Sequence, residues 1–187
     1  PLPRECRFTG QVLRLAPVFR VYHTVAASAA DRRAAQLLAD VLREATGVPI
    51  RLAATTRYVH RHVLRVAADD AFDLAREFVP AHHEGYGLRI DAAGMLLVGV
   101  DAAGLYYAVQ TVRQVLRLRR SSGRAAPGVE IRDWPALRHR AVMVDIGRQV
   151  ERADYLETFV RDMAALKKNM FVLYFEDKFQ WRRHPAI

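Results

Sequence analysis

Hydrophobic and polar positions alternate at two periods along this chain, and the period switches back and forth. Gln11 to Leu15, Val18 to Tyr22, Val48 to Leu52 and His62 to Val66 are short apolar-rich runs that predict strands. Between the second and third, Ala34, Leu37, Leu38, Val41, Leu42 and Ala45 repeat at helical spacing. Ser28 with Asp31 three residues on predicts the start of that helix, and Gly47 its end. Asp70 to Val79 predicts a short helix closed by Pro80. Tyr86, Leu88 and Ile90 alternate with Gly87 and Arg89, Asp91 to Gly94 reads as a turn, and Met95 to Val100 is a more buried return strand. Asp101 then caps a long helix that presents Leu105, Ala108, Val109, Val112, Val115 and Leu116 on one face. Ser121 to Gly128 reads as a loop and Val129 to Ile131 as a last short strand.

After Asp133, Trp134 and Pro135 the pattern changes. Ala141 to Val144 and Met170 to Phe175 are unbroken apolar runs, the mark of parallel strands buried on both faces. Between them Asp154 and Glu157 suggest a capping box, Leu156, Phe159, Val160, Met163 and Ala164 a buried stripe, and Lys167 and Lys168 a helix C-terminus. One strand-helix-strand unit cannot cover its own faces. A (β/α)8 barrel takes roughly 250 residues, and far fewer follow Leu137. The expected architecture is an α+β domain over 1–135, a sheet with helices on one face, and the first β-α-β unit of an incomplete TIM barrel over 136–187.

Composition narrows the chemistry. Of 187 residues 51% are apolar, enough for a real core. No apolar run is long enough to span a bilayer, because Asp101 interrupts the longest. Pro1 to Cys6 has no apolar segment of the signal-peptide kind, and the compartment is not readable. Cys6 is the single cysteine, so an internal disulfide and a cysteine zinc cluster are both excluded. The net charge of +9 is almost all arginine, spread through every element, with the one tight cluster, Arg117, Arg119 and Arg120, at a predicted helix C-terminus. No nucleic-acid motif accompanies it, so no nucleic-acid partner is expected. His60 and His62 share a strand face without a third ligand, and His82 and His83 sit in a loop, so no metal is expected. Gly99 to Gly104 precedes a helix but lacks the Lys-Ser/Thr pair of a phosphate loop. No cofactor is expected.

The candidate chemistry gathers at the ends of the two late strands. Arg148 follows the first directly, where barrel enzymes place their sites, and its fixed fork of donors suits two adjacent acceptors on a substrate. Asp145, three residues earlier, reads as support that orients Arg148 or caps the loop. Glu176 and Asp177 look like paired catalytic carboxylates, but neighbours on a strand point to opposite faces. Asp177 is expected to bind substrate, with Glu176 in support. Trp181 could stack on a substrate ring, with a packing role as the alternative. Asn169 starts a strand and falls at the opposite, stability end.

These residues carry a resemblance. Glu84 to Ile90, followed by Gly104, Gln110, Thr111 and Gln114, resembles the non-catalytic N-terminal domain of family 20 glycoside hydrolases, the β-N-acetylhexosaminidases. Asp133, Trp134 and Pro135 with Arg140, Asp145 and Arg148 resemble the entry into that family's barrel. Lys168 and Asn169 leading to Tyr174, Phe175, Glu176, Asp177 and Trp181 resemble its second strand. The sequence departs from many members, which have His at the place of Tyr174 and an Asp-Asp pair at the place of Asp177 and Lys178. The resemblance implies hydrolysis of terminal β-linked N-acetylglucosamine or N-acetylgalactosamine in glycans. It also implies substrate-assisted chemistry, in which the 2-acetamido group attacks the anomeric carbon. The Asp-Glu pair that serves this chemistry follows the fourth barrel strand, beyond this chain, so the fragment alone is expected to be inactive. The same resemblance implies that Arg148 contacts the terminal sugar. The alternative reading is a stand-alone, non-catalytic module that binds carbohydrate or protein.

Overall fold

In the computed structural model the described residues are 2–57, 62–70, 78–118, 125–149, 151–176, 180 and 182–183. They fall into two compact units that divide between Ala136 and Leu137.

In the first unit seven strands form one sheet: β1 (Glu5–Arg14), β2 (Arg20–Thr24), β3 (Arg51–Thr55), β4 (Val63–Ala67), β5 (Tyr86–Asp91), β6 (Gly94–Gly99) and β7 (Ala125–Asp133). Their spatial order is β1-β7-β5-β6-β4-β2-β3. Every pairing is antiparallel except β2 with β3. Two helices, α1 (Ala29–Thr46) and α2 (Ala102–Leu118), lie on one face. The alternation of each strand decides what they cover. Val21, Leu64, Val66, Leu88, Ile90, Met95, Leu97, Val129 and Ile131 point to the helices and are buried with Leu38, Leu42, Leu105, Val109 and Val112. Burying a side chain of this size contributes roughly 1.5–3 kcal/mol, so this shared face is the main source of the unit's stability. On the other face Tyr22, Val63, Leu96 and Val98 make a smaller cluster with Phe78 and Val79.

Local signals work as the pattern predicts at most element ends. Ser28 and Asp31 form a capping box, and Gly47 closes α1 in a left-handed conformation. The buried stripe of α1 is rotated from expectation: Ala35 and Ala39 are buried and Ala45 is exposed. The β5–β6 turn is closed by Asp91, whose Oδ1 accepts from the amides of Ala93 (2.9 Å) and Gly94 (3.1 Å). Gly94 has φ 152°, and a Cβ there would stand 2.1 Å from the Val66 carbonyl oxygen, so only glycine fits. One expected loop is corrected. Ala125 to Gly128 belong to β7, because Val12, Leu13 and Arg14 of β1 pair with them beyond an irregularity at Phe8/Val12. Most of the expected helix from Asp70 to Val79 lies outside the described residues.

The second unit holds β8 (Ala141–Asp145), α3 (Ala153–Ala165) and β9 (Met170–Tyr174), with the strands parallel and in register from Ala141–Met170 to Asp145–Tyr174. Phe159 of α3 packs on Phe171 of β9, ring centroids 5.7 Å apart. Val142, Val144, Phe171 and Leu173 are half-buried, whereas Met143, Met170, Val172 and Tyr174 are exposed on the other face. The apolar runs are covered on one side only, which accords with a single strand-helix-strand unit being unable to cover both of its own faces. Of the stripe expected on α3, Met163 is buried and Val160 is exposed. The helix starts at Arg152 with no side-chain cap, and Asp154 instead binds the Arg152 guanidinium, so the expected capping box does not form.

Candidate functional site

The ends of β8 and β9 differ in chemistry. At their N-terminal ends Arg140 and Asn169 clasp the backbone. Asn169 Oδ1 accepts from the Arg140 amide at 2.9 Å, and Asn169 Nδ2 donates to the Arg138 carbonyl at 2.8 Å. The Arg140 side chain donates to the carbonyls of Lys167 (2.7 Å) and Leu137 (2.8 Å). Asn169 is thus a turn residue at the end opposite Arg148, as the sequence suggests, and Arg140 is occupied with main chain.

At the C-terminal ends the chain builds a tight turn. The Ile146 amide donates to the Tyr174 carbonyl at 2.9 Å, which carries the parallel pairing one step past β8. Asp145 Oδ1 accepts from the Gly147 amide at 2.9 Å, so this carboxylate caps the turn that leads to Arg148. Arg148 itself is exposed. Glu176 follows β9 in a left-handed backbone conformation, φ 51°. Its side chain lies across Gly147, with Oε2 2.8 Å from the place a Cβ would take. Because β9 ends at Tyr174, Glu176 lies past the strand, where strict alternation of faces no longer governs its direction. Asp177 and Trp181, the other expected site residues, lie outside the described residues, as does His60. Among the described residues, Asp145 and Glu176 both meet Gly147, and Arg148 is the next residue along the same turn. The structure adds Gly147, which sequence reasoning missed because the need for a glycine comes from a side chain across the strand pair.

No group of three His, Cys, Asp or Glu among the described residues could hold a metal. His62, His82 and His83 of the first unit have other partners. His62 Nδ1 stands 2.8 Å from Asp31 Oδ1, inside the capping box of α1. Burial pushes the Asp31 carboxyl up, but the bonds from His62 and Ser28 outweigh it and hold it below its usual value. His83 Nδ1 stands 2.7 Å from Asp101 Oδ2, which also accepts from the Glu84 amide, while Oδ1 accepts from Gly104 at the start of α2. His82 stacks on Trp134 at 4.5 Å, and the Arg4 guanidinium lies 5.1 Å from the same indole. Behind them, Thr111 Oγ1 and Tyr86 Oη are 2.6 Å apart, and Tyr86 donates to Asp133 Oδ2 at 3.0 Å. This buried chain of hydroxyls ties β5, α2 and the end of β7 just before Trp134 and Pro135.

Comparison with known proteins follows the same stretch of sequence. The family model described as glycosyl hydrolase family 20, domain 2, matches residues 1–134. The Beta-hexosaminidase of Porphyromonas gingivalis is 29% identical over 154 residues, 79% of this chain and 19% of that protein. The N,N'-diacetylchitobiase of Vibrio harveyi is 31% identical over 97 residues, 52% of this chain and 11% of that protein. Among solved structures, a mutant Streptomyces plicatus beta-hexosaminidase in complex with its product GlcNAc superposes with a TM-score of 0.72 and 26% identity, over 96% of this chain and 34% of that one. The GH20 beta-N-acetylhexosaminidase of Streptomyces coelicolor A3(2) does so with a TM-score of 0.70 and 25% identity, over 96% and 35%. The chain therefore spans about a fifth of the first curated relative and about a third of these solved structures.

Proposed function

Because this chain belongs to glycosyl hydrolase family 20, through that family's domain 2, we propose that it is the N-terminal portion of an exo-β-N-acetylhexosaminidase. Its substrates are glycans ending in β-linked N-acetylglucosamine or N-acetylgalactosamine. Residues 1–135 are the accessory domain, and 136–187 open the catalytic (β/α)8 barrel. The sugar's own acetamido group is the nucleophile, and the Asp-Glu pair that serves it lies downstream of Ile187. Within this chain Arg148 and Asp177 bind the sugar, with Asp145, Glu176 and Trp181 in support.

One observation carries the barrel reading. Two parallel strands expose Met143, Met170, Val172 and Tyr174 on the face away from their helix. Parallel strands are found almost only with both faces covered, and in a barrel the second face is the packed interior. The superpositions, which run over 96% of this chain, support the same reading. Arg148 then stands on the barrel's C-terminal rim, and the Asp145 cap on the Gly147 amide sets the turn that carries it. A guanidinium there offers a planar fork of donors to two neighbouring hydroxyls and keeps its charge.

The test is release of the chromophore from an aryl N-acetyl-β-glucosaminide. The gene product read to its stop codon is active and residues 1–187 alone are not. Arg148→Ala lowers kcat/KM by about 100-fold or more. Wild-type rates in that variant remove the assignment of Arg148. A stop codon directly after Ile187 would favour the stand-alone binding module instead.

A further inference from the structure

We propose that Glu176 is a positioning residue for Arg148 and acts by resting on Gly147; this rests on the reading of Arg148 as a sugar-binding group. The turn from Asp145 to Arg148 is held at three points. Two are close to β8: the Ile146 amide on the Tyr174 carbonyl, and the Gly147 amide on Asp145 Oδ1. The third is Glu176. Its Oε2, Cδ and Cγ stand 2.8, 2.9 and 2.9 Å from the place a Cβ on Gly147 would occupy. A hydrogen occupies that direction in glycine, so the Gly147 Cα–H faces the Glu176 side chain, which packs directly over it.

The backbone of Glu176 is what aims it there. A φ of 51° is uncommon for a residue other than glycine, asparagine or aspartate. An extended residue would carry the chain onward along the strand direction. The left-handed turn brings the glutamate side chain back over the exit of β8. Gly147 is buried while Arg148, the next residue, is exposed, so the contact sits under the base of the arginine. The exits of the two strands are thereby coupled: Arg148 is placed by a residue that follows β9.

The geometry also supplies its own test. The atoms that a Gly147→Ala methyl would meet belong to one flexible side chain, not to backbone. Gly147→Ala should therefore expel the carboxylate and mimic Glu176→Ala. The experiment uses the gene product read to its stop codon, with Gly147→Ala, Glu176→Ala, Glu176→Gln and the Gly147→Ala/Glu176→Ala pair. Thermal unfolding comes first. Gly147→Ala lowers Tm in the wild-type background and lowers it less in the Glu176→Ala background, where the clash is gone. Equal losses in both backgrounds overturn the contact and the proposal together. Kinetics on the aryl N-acetyl-β-glucosaminide come second. KM rises roughly 10- to 100-fold in Gly147→Ala and in Glu176→Ala while kcat moves less. The pair is no worse than either single change, and Glu176→Gln, which keeps the shape, recovers most of the loss. Coupled Tm values with an unmoved KM would make the contact structural only and overturn the positioning role. An inactive wild type would instead overturn the hexosaminidase reading, and the role of Glu176 with it.

Discussion

Tyr86→Phe removes one oxygen from the interior of the first unit, and its cost follows from the order of protons around it. Tyr86 is 1% exposed. It donates to Asp133 Oδ2 at 3.0 Å, and the Arg4 amide donates to Oδ1 of the same carboxylate at 3.2 Å. Thr111 Oγ1 lies 2.6 Å from the phenol and 3.1 Å from the Tyr107 carbonyl, so it keeps an acceptor when the phenol is gone. The loss therefore falls on Asp133, a carboxylate only 9% exposed that loses the phenol as a donor. A hydrogen bond to a charged group is worth about 1.5–3 kcal/mol, which sets the expected loss near 2 kcal/mol. In a chain of this length that lowers Tm by about 4–8 °C. Thr111→Val should cost less, near 1 kcal/mol, because the Tyr86–Asp133 bond survives it. Alkali supplies a second signature. Burial first, and the Asp133 charge second, push the phenol well above its usual value. The stability it contributes is complete below the unfolded-state value of about 10 and is lost as pH rises beyond it; the Phe variant lacks that decline. Denaturant melts followed by circular dichroism across pH 7 to 11 measure all three effects. A Tyr86→Phe loss under about 0.5 kcal/mol, or a larger loss in Thr111→Val, would refute the proton order.

Asp31→Asn should destabilise at neutral pH. Because the Asp31 carboxyl is held below its usual value, the wild-type advantage is full above the unfolded-state pKa near 3.9 and shrinks as pH falls through the folded value; an unchanged difference at pH 3 would assign the loss to packing. Gly94→Ala places a methyl 2.1 Å from the Val66 carbonyl at φ 152° and should cost at least about 3 kcal/mol or abolish soluble expression, while Ala92→Gly in the same exposed turn stays within about 1 kcal/mol. Hydrogen exchange should separate the units: amides of β5 and β6 are protected far longer than those of β8 and β9, and equal protection would contradict the burial pattern.

What the sequence made legible is what short-range physics controls. Ser28 with Asp31, Gly47, the Asp91 to Gly94 turn and the Asp101 cap are local bargains between a side chain and nearby amides, and each stands where the pattern put it. The full length of β1 and the start of β7 were not legible. Both belong to a pairing of residues some 120 positions apart, such as Cys6 with Ile131, and Ala125 to Gly128 carry small side chains with no periodic signal. The helix of the second unit misled for the opposite reason: Asp154 and Glu157 have capping-box spacing, but Arg152 takes the carboxylate first. At the candidate site, the places of Asp145 and Arg148 at and past the end of β8 could be read because a strand end announces itself. Gly147 could not, because its lack of a side chain answers Glu176, 29 positions later.

The exposed face of β8 and β9 joins stability to the proposed chemistry. Residues 137–187 form a unit in which Met163 is the one fully buried apolar side chain among those described, while Met143, Met170, Val172 and Tyr174 face outward. Covering what remains exposed of such side chains is worth on the order of 1 kcal/mol each, and a unit this small cannot supply it alone. Strands that continue the parallel sheet would cover that face, and the same addition would surround the C-terminal rim where Arg148 stands. In the proposed enzyme packing and site formation would then be one event: the partners that bury Val172 would be those that enclose the sugar. The Asp145, Gly147 and Glu176 contacts, by contrast, lie wholly within this strand pair. In the proposed enzyme the rim turn is thus set locally, before a barrel closes around it, and the carboxylates that break the bond are brought to a guanidinium already in place.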